Sequence, residues 1–221
     1  MCFSANASLA AFFVGVAGQI ALFSRGGQSR ALAFGFSTLT LMQLFEYIMW
    51  ENPCSDLVPN NTNKYASKLA MISNFAQPLT ISISLLYFRH NGKYNKELFI
   101  GTAAYAILLA YDVITTWEDV TCSAPTGVEV SGNQCTSTSC GLEWQWTSKF
   151  NGFSWTAYFL LLHFATLTAV KPFSTAVITT AYIDISFFIA FALHKNQRSI
   201  GSHWCFYAVL LPWLVYFLPQ E

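Results

Sequence analysis

The chain has 221 residues, of which 54% are hydrophobic, 17% aromatic and only 10% charged. A water-soluble domain carries roughly a quarter charged residues, so this composition excludes an ordinary soluble surface. The formal net charge is zero and the basic residues form no block, which excludes the electrostatic attraction that draws a protein to nucleic acid.

A bilayer core of about 30 Å requires roughly 17 to 25 largely apolar residues per helix. Seven runs meet or approach that length, at about 7–23, 31–50, 69–88, 98–116, 152–170, 174–194 and 204–218. Lipid forces every backbone amide to find an internal partner, and the alternation of a β-barrel is absent. The expected fold is therefore all-α: a single polytopic domain over residues 1–221, built as a seven-helix transmembrane bundle.

Orientation follows from the flanks. No basic residue precedes the first run, whereas Arg25 and Arg30 follow it, so the run reads as a retained span with its N-terminus outside rather than as a cleaved signal. The loops 24–30, 89–96 and 171–173 are short and basic, which puts them and the C-terminus on the cytoplasmic side. The loops 51–68, 117–151 and 195–203 then lie outside.

Cys54, Cys122, Cys135 and Cys140 all fall in these outer loops, the last three within 117–151. Such one-sidedness fits an oxidising exterior or lumen, in a secretory-pathway, plasma or viral membrane, with two disulfides and three possible connectivities. Free thiols are the alternative. A zinc site is disfavoured, because no Cys-x-x-Cys pair or nearby histidine accompanies them. Trp50, Trp117, Trp144, Trp146, Trp155 and Trp204 sit near the same boundary, where an indole ring prefers headgroup depth. Asn6 and Asn60 open glycosylation sequons on that side.

Within the runs, polar residues recur at helical spacing. Thr40, Gln43, Glu46 and Trp50 form one stripe, and Asn74, Gln77 and Ser84 form another around Pro78. Pro78 is expected to free the carbonyl of Asn74. Asp112, His163 and Asp184 add ionisable groups to the fourth, fifth and sixth runs. Charges inside a span are costly unless they face water or one another, so Gln43, Glu46, Asn74, Gln77, Asp112, His163 and Asp184 are the expected lining of a polar pathway open to the outside. Packing glue between helices is the bland alternative.

Familiar chemistries are excluded by what is missing. No lysine in the last two runs could hold retinal, the four histidines are scattered, and there is no His-Glu-x-x-His, Gly-x-Ser-x-Gly or phosphate-binding glycine loop. No catalytic residue or cofactor is assigned on this basis.

The chain opens with Met1-Cys2-Phe3-Ser4-Ala5 and its last run opens with Trp204-Cys205-Phe206. With Gln43, Glu46 and Trp50 in the second run, these motifs resemble an uncharacterised family of multi-span membrane proteins from bacteria, protists and large DNA viruses. The resemblance implies that the three patterns belong together, but it brings no activity, and the loop 117–151 stands outside it. Cys2 and Cys205 face the same way, as a thiol pair, a disulfide, a soft-metal site or simply two packing cysteines. The expected function is binding or conduction of a small cation, proton or polar solute by a lipid-embedded protein, with a homo-oligomer open. The alternatives are a membrane-embedded enzyme using Cys2/Cys205 or His163, and a scaffold of a viral or organellar membrane.

Overall fold

A computed structural model describes residues 4–54, 60–88, 95–126, 130–131, 134–135, 141–144, 146, 150, 152–193 and 199–219. The architecture is helical, with five helical segments long and apolar enough to cross a membrane and a sixth possible crossing in a bent helix pair.

The first segment is α1, Ala5–Ser24, whose N-terminus is capped by Ser4 Oγ accepting from the Ala7 amide at 3.3 Å. The turn that follows has positive φ at Gly26 (78°) and Gly27 (51°), which glycine adopts without a Cβ clash. The second segment, Gly27–Glu51, is divided at Phe36 into α2, Gly27–Gly35, and α3, Ser37–Glu51. The sequence predicts one helix over 31–50. The division coincides with a close helix approach, since a Cβ on Gly35 would lie 2.9 Å from Ile81 Cα.

Helices α4, Asn61–Phe75, and α5, Gln77–Phe88, meet at Ala76 with a 51° bend. Pro78 explains it, because its ring nitrogen cannot donate and its ring crowds the preceding turn. Helix α4 also begins well before the expected residue 69. Asn60 caps it by accepting from the amides of Thr62 (3.0 Å) and Asn63 (3.3 Å). The polar residues of its first turns are buried against protein: Asn63, Ser67 and Lys68 are at most 4% exposed.

After α6, Lys96–Thr116, come four short strands, β1 Ala124–Thr126, β2 Val130–Ser131, β3 Gln134–Cys135 and β4 Gly141–Glu143. They pair antiparallel as β1 with β4 and β2 with β3, with Pro125 opposite Leu142. The bundle closes with α7, Gly152–Ala169, α8, Phe173–Leu193, α9, Ile200–Ala208, and α10, Leu211–Phe217. Helices α9 and α10 form one membrane-length segment, interrupted where Pro212 enters the first turn of α10. Helix α7 has the length of a span, about 27 Å at 1.5 Å per residue, but Trp155, Tyr158 and His163 lower its hydropathy and it is not among the five.

The two ends of the bundle are closed differently. At one end, Gln28 pairs with the backbone of Lys171 in both directions, accepting at 2.9 Å and donating at 2.8 Å. Arg25 donates to the carbonyls of Tyr216 and Leu218 there, and its guanidinium stacks on the Tyr216 ring. At the other end, Cys54 and Cys122 are joined as a disulfide, with Cα atoms 6.0 Å apart. Beside it, Asn63 donates to the carbonyls of Met49, Asn52 and Ser123, and its own carbonyl accepts from the Ser123 amide at 2.9 Å.

Candidate functional site

The site starts from α3. Gln43 and Glu46 are three residues apart on one helix face, and Gln43 Nε2 donates to Glu46 Oε2 at 3.0 Å. Both side chains are almost wholly buried, at 0% and 2% exposure. The bend between α4 and α5 presents Asn74 and Gln77 to the same interior, where Gln77 Nε2 lies 3.5 Å from Asn74 Oδ1. Tyr158 of α7 donates its hydroxyl to Gln77 Oε1. From α9, Cys205 Sγ lies 3.8 Å from both Asn74 Oδ1 and Gln77 Nε2, and Ser202 is the other polar side chain facing the Glu46 carboxylate. Five helices thus converge on one polar cluster, and Glu46 and Cys205, from the second and last apolar segments, are electrostatic neighbours within it.

Three polar atoms in the cluster have no hydrogen bond of ordinary geometry: Gln43 Oε1, Glu46 Oε1 and Asn74 Nδ2. Among the described residues no basic side chain is within ion-pairing distance of Glu46. An unmatched acceptor buried in protein costs free energy until a proton or cation supplies the missing partner.

The cluster is closed, not an open outward cavity. Trp50, one helical turn from Glu46 toward the disulfide end, is 1% exposed, and Trp144 and Trp146 are fully buried. Trp144 stacks on Trp146 at 4.8 Å between ring centroids, and Phe75 stacks on Phe150 at 3.7 Å. Trp144 lies against Gly201, the residue before Ser202. An aromatic plug contributed by the segment around β4 therefore covers the cluster from the disulfide end. Trp144 and Trp146 face the protein interior rather than the surface. Leu142, Trp144 and Trp146 recur at period two in the sequence, and all three are fully buried. That alternation was the available sign in the sequence.

The remaining expected residues separate from the cluster. Asp112 is buried on α6 beside Tyr105, whose hydroxyl donates to the Phe75 carbonyl at 2.8 Å. His163 and Asp184 bond to each other at 2.8 Å between α7 and α8, with side chains 28% and 42% exposed, on the outer wall of the bundle rather than in its interior. A cleft of about 450 Å³ runs beside His163 along the same wall of α7, lined by Trp155, Thr156, Phe159 and Leu160.

Of the cysteines, Cys205 is a buried free thiol and Cys54 pairs with Cys122. The side chain of Cys135, together with Cys140 and Cys2, lies outside the described residues, and so does any contact of Cys2 with Cys205. No group of three or more metal-ligating side chains occurs among the described residues. Sequence reasoning missed Tyr158, Ser202 and Lys68, the last being 4% exposed with its ammonium 4.3 Å from the centre of the Trp117 ring. Compared with known protein families, with curated proteins and with solved structures, the chain matches none of them.

Proposed function

We propose that the protein binds a proton or small cation at Glu46 and Gln43 and conducts it across a membrane, passing through an occluded state that corresponds to the closed arrangement of the cluster. The observation that carries this reading is the pair of unmatched buried oxygens, Glu46 Oε1 and Gln43 Oε1, with no basic partner among the described residues. A carboxylate kept only for packing would be expected to have both oxygens satisfied.

In this reading the chain crosses the bilayer seven times: the five long segments, the bent α4–α5 pair and α7. The N-terminus lies outside and the C-terminus in the cytoplasm, and the disulfide end faces the exterior or lumen. The Cys54–Cys122 bond supports that orientation, since disulfides persist in oxidising compartments. Gln77 and Asn74, at the helix bend, hold the far side of the site, and Tyr158 fixes the Gln77 amide. Entry from the outer side requires Trp144 and Trp146 to move.

The test is flux in sealed liposomes containing the purified protein, under imposed gradients of pH, sodium and potassium. Wild type is expected to dissipate at least one gradient and Glu46→Gln to dissipate none. Equal flux in the two proteins, or none in wild type under every gradient, overturns the proposal.

A further inference from the structure

Glu46 Oε1 and Gln43 Oε1 lack a donor, and they belong to side chains that already touch, since Gln43 Nε2 donates to Glu46 Oε2 at 3.0 Å. A primary amide and a carboxylic acid pair through two hydrogen bonds in one ring, amide N–H to one carboxyl oxygen and acid O–H to the amide oxygen. The first bond of that ring is present. The second calls on the two oxygens that are unmatched, and one proton on Glu46 Oε1 turns it from acceptor into donor and satisfies both. A metal cation suits the same surroundings poorly. Hard cations take about six oxygen ligands or more, whereas Gln77 Oε1 is engaged by Tyr158 and Asn74 Oδ1 faces the Gln77 amide nitrogen. The third unmatched atom of the cluster, Asn74 Nδ2, is an N–H donor, which a cation repels.

We infer that the ion bound at this site is a proton, carried on Glu46 Oε1 in a closed pair with the Gln43 amide. The inference rests on the proposed role of Glu46 as the ion-binding group and selects among the ions that role admits. Uptake forms one O–H bond and cancels one negative charge. Release breaks that bond and returns the proton to water, with nothing oxidised or reduced. The ring gives the amide three residues before the carboxyl a double use: Gln43 offers a donor to the charged form through Nε2 and an acceptor to the neutral form through Oε1. Of the titratable groups on the neighbouring helices, Cys205 of α9 is the electrostatic neighbour of Glu46, with Tyr158 of α7 beyond it. His203 of α9 is bonded to the Ser199 carbonyl at 2.7 Å, and Lys68, the buried lysine of α4, rests on the Trp117 ring. Helix α1 contains no titratable side chain, and α5 contains only the exposed Tyr87.

Infrared difference spectroscopy of the purified protein in lipid, wild type minus Glu46→Gln, reads the protonation state without recourse to transport. At neutral pH the difference is expected to show the carbonyl stretch of a protonated carboxylic acid, lost in the variant and unchanged when sodium or potassium chloride is added. Gln43→Leu removes the ring acceptor and should shift that band to higher frequency. The shift also assigns the band if Glu46→Gln fails to fold. A carboxylate signature at neutral pH, displacement of the acid band by either cation, or a band unmoved by Gln43→Leu overturns the inference. Flux separates it from the conduction reading. An acid band in a protein that dissipates no gradient keeps the proton site and removes conduction. Dissipation of a sodium or potassium gradient, but not of a pH gradient, keeps conduction and overturns the proton.

Discussion

Trp144 packs its six-membered ring onto the backbone of Gly201 so closely that a methyl group at residue 201 would lie 2.3 Å from ring carbon Cζ3. The ring cannot easily retreat, because it is also stacked on Trp146. Gly201 is thus the seat of the aromatic plug. Gly201→Ala should destabilise the protein by about 1–3 kcal/mol, as overpacking of a filled interior does. The measurement is a thermal melt alongside tryptophan emission, which should shift to the red as Trp144 leaves its apolar seat. An unchanged melt and spectrum would mean that the plug does not depend on this contact.

Asn63 is the hinge pin of the disulfide end. Its amide nitrogen lies within hydrogen-bond distance of three carbonyls, those of Met49, Asn52 and Ser123, which its two N–H groups share. Asn63→Ala leaves buried carbonyls without donors and should cost about 2–4 kcal/mol, since each stranded polar group costs roughly 1–3 kcal/mol. Amide hydrogen exchange should quicken around Ser123 and the start of α4, while the exchange of α8 stays as in wild type.

Stability and transport should part company at Glu46. The carboxylate is buried without a cationic partner among the described residues, so the neutral isostere in Glu46→Gln removes a desolvated charge. Its thermal midpoint should equal or exceed that of wild type, even as flux disappears. Gln43→Leu, by contrast, strips Glu46 of its one amide donor and should lower stability by about 1 kcal/mol. A Glu46→Gln protein that unfolds well below wild type would mark the carboxylate as structural.

Tyr158 orders the far side of the site through its hydroxyl on Gln77. Tyr158→Phe keeps the ring packing against Phe75 and Trp204 and deletes only that donor. The expected cost is about 1–2 kcal/mol in a thermal melt, accompanied by slower flux because the Gln77 amide is free to rotate. Full stability together with wild-type flux would remove Tyr158 from the site.

Much of this was legible in the chain itself. The runs marked the apolar segments, Pro78 and Pro212 marked two of the breaks, and helical spacing brought Gln43 to Glu46 and Asn74 to Gln77. The break at Phe36 was hidden, because it reflects the approach of Gly35 to Ile81, a residue 46 positions later. The early start of α4 was hidden for a similar reason. Asn63 and Ser67 look unfit for a packed helix until Ser123 is brought alongside to match them. His163 and Asp184 show another limit of periodicity. A polar stripe identifies which residues share a helix face, but whether that face looks inward or outward depends on neighbours that the stripe does not encode. The aromatic plug is legible in the period-two recurrence of Leu142, Trp144 and Trp146.

The bond between Cys54 and Cys122 carries one more consequence, concerning how the chain is threaded. In the membrane reading proposed above, two residues in covalent contact lie on the same face of the bilayer, so the stretch joining these cysteines, which are 68 positions apart, crosses it an even number of times. That stretch contains α6 and the bent α4–α5 pair. If α6 crosses once, the bent pair must cross as well, and it is a kinked span rather than a re-entrant loop. The bond can close only once both passes are in place, so its formation during biogenesis reports that this hairpin has finished inserting.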